Sequence, residues 1–305
     1  MKNIILIFLF INFFSSLTMS QWVTQQSGTT AALRDIQYVG NNILWACGEG
    51  GTIIRTTNNG VNWYLQTTNV PSKPLFGIHA VNQNVAYSVG WFATILKTTN
   101  GGVNWIIIEN GTAGQDGNYF SVFFINEMTG WIGENNIMGS GDVKKTTDGG
   151  KTFVTSVTSG WPRDLYFKDS LNGIGVDGGA TIHKTTNGGE NWLSFSLAGT
   201  GDFYKVSFIN NFTGFTVAAG SNKVYKTTDF GSNWFEISVL SDVQEFVRCI
   251  KFSSDSIGFI GGNFSRLYKT TNQGVNWRRE QISTGFILDI TSLNDSVFLD
   301  MRYGR

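Results

Sequence analysis

Thr-Thr-Asn-Asn-Gly-Val-Asn-Trp, residues 56–63, is one of six copies of a single eight-residue phrase: two threonines, Asn or Asp, any residue, Gly, any residue, Asn or Thr, and an aromatic. The others run from Thr98 to Trp105, Thr146 to Phe153, Thr185 to Trp192, Thr227 to Trp234 and Thr270 to Trp277. A period of about 40 residues with strand-like flanks marks a radial array of small sheets.

Residues 75 to 108 show how one period folds. Leu75 to Val81, Val85 to Gly90, Ala93 to Lys97 and Trp105 to Ile108 are short β-prone runs separated by turn residues. Four such runs make one antiparallel blade, strands A to D, with the phrase in the hairpin between C and D. In that hairpin the Thr and Asn or Asp side chains bond nearby amides, the Gly takes positive φ, and the aromatic packs beneath. The positions assigned to these structural turns are Asn58, Gly60 and Trp63; Asn100, Gly102 and Trp105; Asp148, Gly150 and Phe153; Asn187, Gly189 and Trp192; Asp229, Gly231 and Trp234; and Asn272, Gly274 and Trp277. Calcium in these loops would call for more carboxylates than they carry.

The expected fold is all-β, a seven-bladed propeller of four-stranded antiparallel blades, one domain over residues 21–305. The blades span approximately 31–66, 74–108, 118–157, 162–197, 203–239 and 245–281, and the last is drawn from 285–305 plus 21–27. Phe286 to Thr291 and Val297 to Met301 read as strands A and B of that last blade, and the stretch from Trp22 reads as its strand D. Strand C is missing from this reading, which points either to a truncated chain or to a three-stranded closing blade. Pairing the two termini would remove exposed sheet edges.

Residues 1–20 differ from the rest: Lys2, an apolar run from Ile4 to Phe14, then Ser15, Ser16, Thr18 and Ser20. This is the pattern of a signal peptide cleaved near Ser20, and the run is short for a bilayer span. A buried N-terminal strand is the alternative. The expected location is secreted or periplasmic, with no transmembrane anchor after removal of the leader and a monomeric state. Charged residues make up 14% of the chain, below the roughly 25% of an average soluble protein, and 22 basic side chains balance 22 acidic ones. Without a basic run, nucleic acid is excluded as a partner. Cys47 and Cys249 fall in different blades and are read as buried free thiols, not a disulfide.

The runs GTIIRTTNNGVNW (51–63), ATILKTTNGGVNW (93–105) and ATIHKTTNGGENW (180–192) resemble the photosystem II stability and assembly factor family, and the turn itself resembles the Asp-box (BNR) hairpin of sialidases and sortilin-type receptors. The resemblance covers essentially all of residues 21–305. It implies a cofactor-free, non-enzymatic scaffold that binds a protein or peptide partner on one propeller face.

Two candidate surfaces follow from the residues. Aligning the innermost strands puts Arg34, Arg163 and Arg248 at one register, with Phe76, Phe120, Tyr204 and Leu288 in the other blades. Three guanidiniums at the channel rim suit a carboxylate. Asp35, Asp164 and Asp289 at the next position offer a self-neutralised ring of ion pairs instead. The longer loops 110–118 and 134–141 of blade three hold Asp116, Glu134, Ile137 and Met138, and with Trp91, Phe92, Trp161 and Phe264 they make a candidate partner face. Ordinary loop drift accounts for the same insertions. Two other classes stay open: a sialidase-like or other glycoside hydrolase using the arginines, for which no acid and nucleophile pair is found, and a module of a larger cell-surface adhesin. His79 and His183, the only histidines, lie in predicted strands without metal-ligand spacing, and Cys47 has no histidine nearby in sequence.

Overall fold

The computed structural model describes residues 3–7, 22–112, 116–136, 141–197, 201–221, 223–240, 247–264, 266–280, 282, 285–294 and 297–303. The innermost strands, Leu33–Gly40, Leu75–Ala80, Asn118–Phe124, Pro162–Phe167, Phe203–Phe208, Val247–Phe252 and Phe286–Asn294, each pack on the next around a central channel. Phe286–Asn294 touches both Val247–Phe252 and Leu33–Gly40, so the ring closes.

The seven-bladed expectation is corrected. Six blades form, each a four-stranded antiparallel sheet cut from one unbroken run of chain. The ring is completed by a composite sheet that does not repeat them, in the order Trp22–Gln26, Asn3–Ile7, Val297–Tyr303, Phe286–Asn294. The physical reason is the end of the repeat: no copy of the phrase follows Trp277, so this sheet has no C–D hairpin of its own and borrows strands from both ends of the chain. The strand missing from the sequence reading is Asn3–Ile7, whose Leu6 is opposite both Val23 and Leu299. Trp22–Gln26 therefore does not pair with Val297–Tyr303 directly.

Second strands are apolar on both faces because each is sandwiched between neighbouring blades. Ile43–Gly48 and Gly214–Ala218 are buried throughout. Their aromatics lie flat on the first strand of the following blade: Tyr87 on Phe124 at 3.6 Å, Trp131 on Phe167 at 3.6 Å and Phe215 on Phe252 at 3.8 Å between centroids. Each such pair contributes about 0.5–1.5 kcal/mol beyond its buried area. Fourth strands form the outer edge, where Tyr64, Val154 and Leu193 stay exposed.

The repeated turn works through its first threonine. In all six copies the Thr Oγ1 donates to the Asn or Asp side chain and accepts the Gly amide, the latter at 2.8–3.0 Å. These threonines are 0–1% exposed. The glycines sit at φ between 72° and 90°, where a Cβ is strained. Asp148 receives the Lys151 and Thr152 amides and the Thr152 hydroxyl, which holds its carboxyl far below the usual range.

Thr146→Val keeps the shape of the side chain but strands the buried Gly150 amide, and should cost about 1–3 kcal/mol in urea unfolding. Asp148→Asn should be close to neutral, because Asn58, Asn100, Asn187 and Asn272 already make the same turn; equal losses in the two variants would refute this division of labour.

Candidate functional site

Every innermost strand carries a bulge near its start. The ladder shifts between Leu33 and Asp35, Leu75 and Gly77, Tyr119 and Ser121, Pro162 and Asp164, Phe203 and Val206, Val247 and Cys249, and Ile287 and Ile290. A bulge bends the strand and re-aims the extra side chain. The extra residues are Arg34, Phe76, Phe120, Arg163, Tyr204, Arg248 and Leu288, and all of them line one cavity of about 320 Å³ at the axis, joined by Trp161 and Lys205. A larger groove of about 420 Å³ lies on the outer rim beside Tyr64 and Val103, but Arg55 is its one charged lining residue. The axial mouth is where charge is concentrated.

Each mouth arginine is held by one polar side chain and one aromatic ring. Arg34 is ion-paired with Glu49, donating to its Oε1 through both Nε, at 2.7 Å, and Nη2, and stands 4.8 Å over the Phe76 ring. Arg163 pairs with Asp202 at 3.3 Å, and Arg248 Nε donates to Asn263 Oδ1 at 2.9 Å. Both of these guanidiniums rest over Tyr204, at 4.2 and 5.3 Å. Stacking of this kind fixes a guanidinium plane while leaving its N–H fork available. Phe76 stacks on Phe120 at 5.0 Å and leans on Trp91 at 6.1 Å, so an aromatic wall runs outward from the arginines.

The expected ring of Arg–Asp pairs is not what forms. The aspartates turn down the channel and take up backbone amides of the next blade: Asp35 accepts from Ile78 at 2.7 Å, Asp164 from Val206 at 2.9 Å and Asp289 from Ile36 at 3.2 Å. Their counter-ion is Lys205, which sequence reading passed over; its Nζ is 2.7 Å from Asp35 and 3.6 Å from Asp289. Burial opposes the Lys205 charge, but Asp289, Asp35 and Asp164 overcome it and raise its pKa well above the usual value. Burial pushes the carboxyls of Asp289 and Asp164 upward in turn. A basic residue in the register that holds Asp35, Asp164 and Asp289 in three other blades was the signal available in the sequence.

The candidate partner face separates into parts. Trp91 is 39% exposed and packs on Phe92, and Phe264 is 54% exposed against Phe286. Trp161 belongs to the mouth. Glu134 does not belong to an exposed face: it is 8% exposed, and burial raises its pKa. Asp116 closes its own loop by accepting the Thr112 amide at 2.6 Å; Ile137 and Met138 lie outside the described residues. Cys47 and Cys249 are both buried thiols. His183 is fully buried between Asp177 on Nε2 at 3.1 Å and Ser194 on Nδ1 at 2.8 Å, the reverse of the nitrogen assignment in a serine-nucleophile relay. No helix among the described residues is long and apolar enough to cross a membrane.

No family model and no curated protein matches the chain. Solved structures do. The chain resembles YCF48 bound to D1 peptide with a TM-score of 0.75 at 17% identity, covering 95% of this chain and 97% of that one. It resembles YCF48 from Cyanidioschyzon merolae with a TM-score of 0.71 at 15% identity, over 90% and 96% of the two chains. An ancestral GH74 enzyme, AFV00434, matches with a TM-score of 0.68 at 17% identity, over 91% of this chain but 44% of that one. At such identities the likeness is one of fold, the β-propeller.

Lys205→Met should destabilise the protein by about 3–5 kcal/mol at pH 7, since it leaves buried carboxylates without a counter-charge. Those carboxyls can then protonate, so the deficit relative to wild type should shrink as pH falls toward 5. Denaturant unfolding at both pH values checks this, and a deficit that grew on acidification would contradict the counter-ion role.

Proposed function

We propose that this chain is a non-enzymatic binding module that captures a peptide or protein segment by a carboxylate at the three-arginine mouth. The observation that carries the reading is the convergence of Arg34, Arg163 and Arg248 on one aromatic-walled cavity, each guanidinium set over a ring and held by one polar or acidic side chain. A carboxylate meets the remaining N–H groups, and an apolar neighbour in the same segment meets Phe76, Phe120 and Trp161. The likeness to YCF48 in a peptide-bound form supports a peptide as the occupant. On this reading the six turns are Asp-box hairpins whose task is the scaffold. The GH74 likeness is why the test includes turnover.

An array of short peptides with free or amidated C-termini separates the possibilities. Free-carboxylate peptides should bind, and Arg163→Ala and Arg248→Ala should each weaken binding about tenfold or more, as expected for a hydrogen bond between charged groups. Undiminished binding by the double variant, or hydrolysis of xyloglucan or a sialoside, would overturn the reading.

We further propose export, with the leader cut near Ser20, on the pattern of Lys2, the apolar run and the small residues that follow. Cleavage would remove Asn3–Ile7 and leave Trp22–Gln26 and Val297–Tyr303 to close the ring between themselves. N-terminal sequencing of protein from the native envelope or medium should begin at Gln21; a chain that retains residues 3–7 would show instead that this strand is a permanent part of the sheet.

A further inference from the structure

Beneath the mouth, the innermost strands build a second ring two residues farther on from the aspartate and lysine register. It lines a cavity of about 220 Å³ that shares Lys205 with the mouth above. The chemistry of this ring is set by how the blades adhere. Gln37 Oε1 accepts the Ala80 amide, Thr291 Oγ1 accepts the Tyr38 amide at 3.1 Å, and Ser207 Oγ accepts the Phe252 amide at 3.0 Å. With one lone pair of each oxygen committed to the neighbouring blade, these side chains still offer donors to the cavity: two hydroxyl hydrogens and a carboxamide NH2.

Lys251 completes the ring. Its ammonium lines the cavity and has neither an ion pair nor a hydrogen bond among the described residues, and burial lowers its pKa. A half-buried ammonium that makes no direct hydrogen bond or ion pair is one that an anion would stabilise. The other groups facing the cavity do not compete for that role. His79 is neutral near pH 7, because burial pushes its pKa down to about 4. Asp35 and Asp289 are engaged by Lys205 and by strand amides, and Asp164 by the Val206 amide.

We propose that the lower cavity is a binding site for one small monovalent carboxylate of about the size of acetate, its two oxygens shared between the Lys251 ammonium and the donors of Gln37, Ser207 and Thr291. Lys251 is the one lysine of this cavity without an ion pair among the described residues, and the carboxyls of Asp35, Asp164 and Asp289 in the same lining disfavour a ligand with more than one negative charge, such as a phosphate dianion. Each oxygen of a carboxylate can accept from a separate donor, whereas a halide must gather all its donors around one sphere.

The probe is sodium acetate against sodium chloride at constant ionic strength and pH 7.5. Wild-type protein should show a saturable, acetate-specific rise in melting temperature and a matching calorimetric isotherm. Lys251→Met should weaken this response at least tenfold, and Lys251→Arg should keep it. The Arg163→Ala, Arg248→Ala double variant should also keep it, which separates this cavity from the mouth and its peptide-binding reading. On the unmodified protein, transferred NOEs should connect the acetate methyl to aromatic protons of His79 or Phe123. Equal responses to acetate and chloride, an undiminished response in Lys251→Met, or no such NOE would overturn the proposal.

Discussion

The ring depends on what happens to the amides on the free side of each innermost strand. Such a strand is the edge of its own sheet, so half of its N–H groups have no ladder partner, yet they are buried at the axis where an unpaired amide is expensive. The chain meets this with side-chain oxygens from the preceding blade: Asp35, Gln37, Asp164, Ser207, Asp289 and Thr291 each accept an amide of the next innermost strand. These bonds run across blade boundaries as well as burying polar groups. They join wedges that otherwise touch through apolar surfaces such as Tyr87 on Phe124 and Trp131 on Phe167.

That requirement shapes the chemistry of the centre. Carboxylates used as amide acceptors bring charge into the channel, and Lys205 is the counter-ion that makes their burial tolerable. Because the oxygens of Gln37, Ser207 and Thr291 accept amides at the blade boundaries, their N–H and O–H groups are left to face the lower ring. The bulges above then turn a third set of side chains up to the mouth, where three arginines, three aromatic residues and Leu288 surround the axis. Adhesion at the boundaries and recognition at the centre thus draw on the same short strands.

The outer part of each blade follows a different rule. Six threonines of nearly identical burial hold six turns through the same pair of hydrogen bonds. Repetition there expresses a local solution to a local problem. At the axis the register that holds Arg34 in one blade holds Phe76, Phe120 or Leu288 in others, and that variation is where a particular ligand can be specified.

Local rules were enough for the sequence to determine the repeat, the four-stranded blade, the task of Thr146 or Gly150 in its turn, and the shared register of Arg34, Arg163 and Arg248, since all of these rest on spacing and on bonds within a few residues. Tertiary structure alone decided how the ring is closed, because Asn3–Ile7 enters the composite sheet through pairing with Val297–Tyr303, nearly the whole chain away. It also decided that Asp35 and Asp164 turn from the adjacent arginines toward Lys205 and the next blade, and that Glu134 is buried. The reason is the same in each case: the partner that fixes the group lies in another blade, at a distance that no short-range pattern of residues encodes.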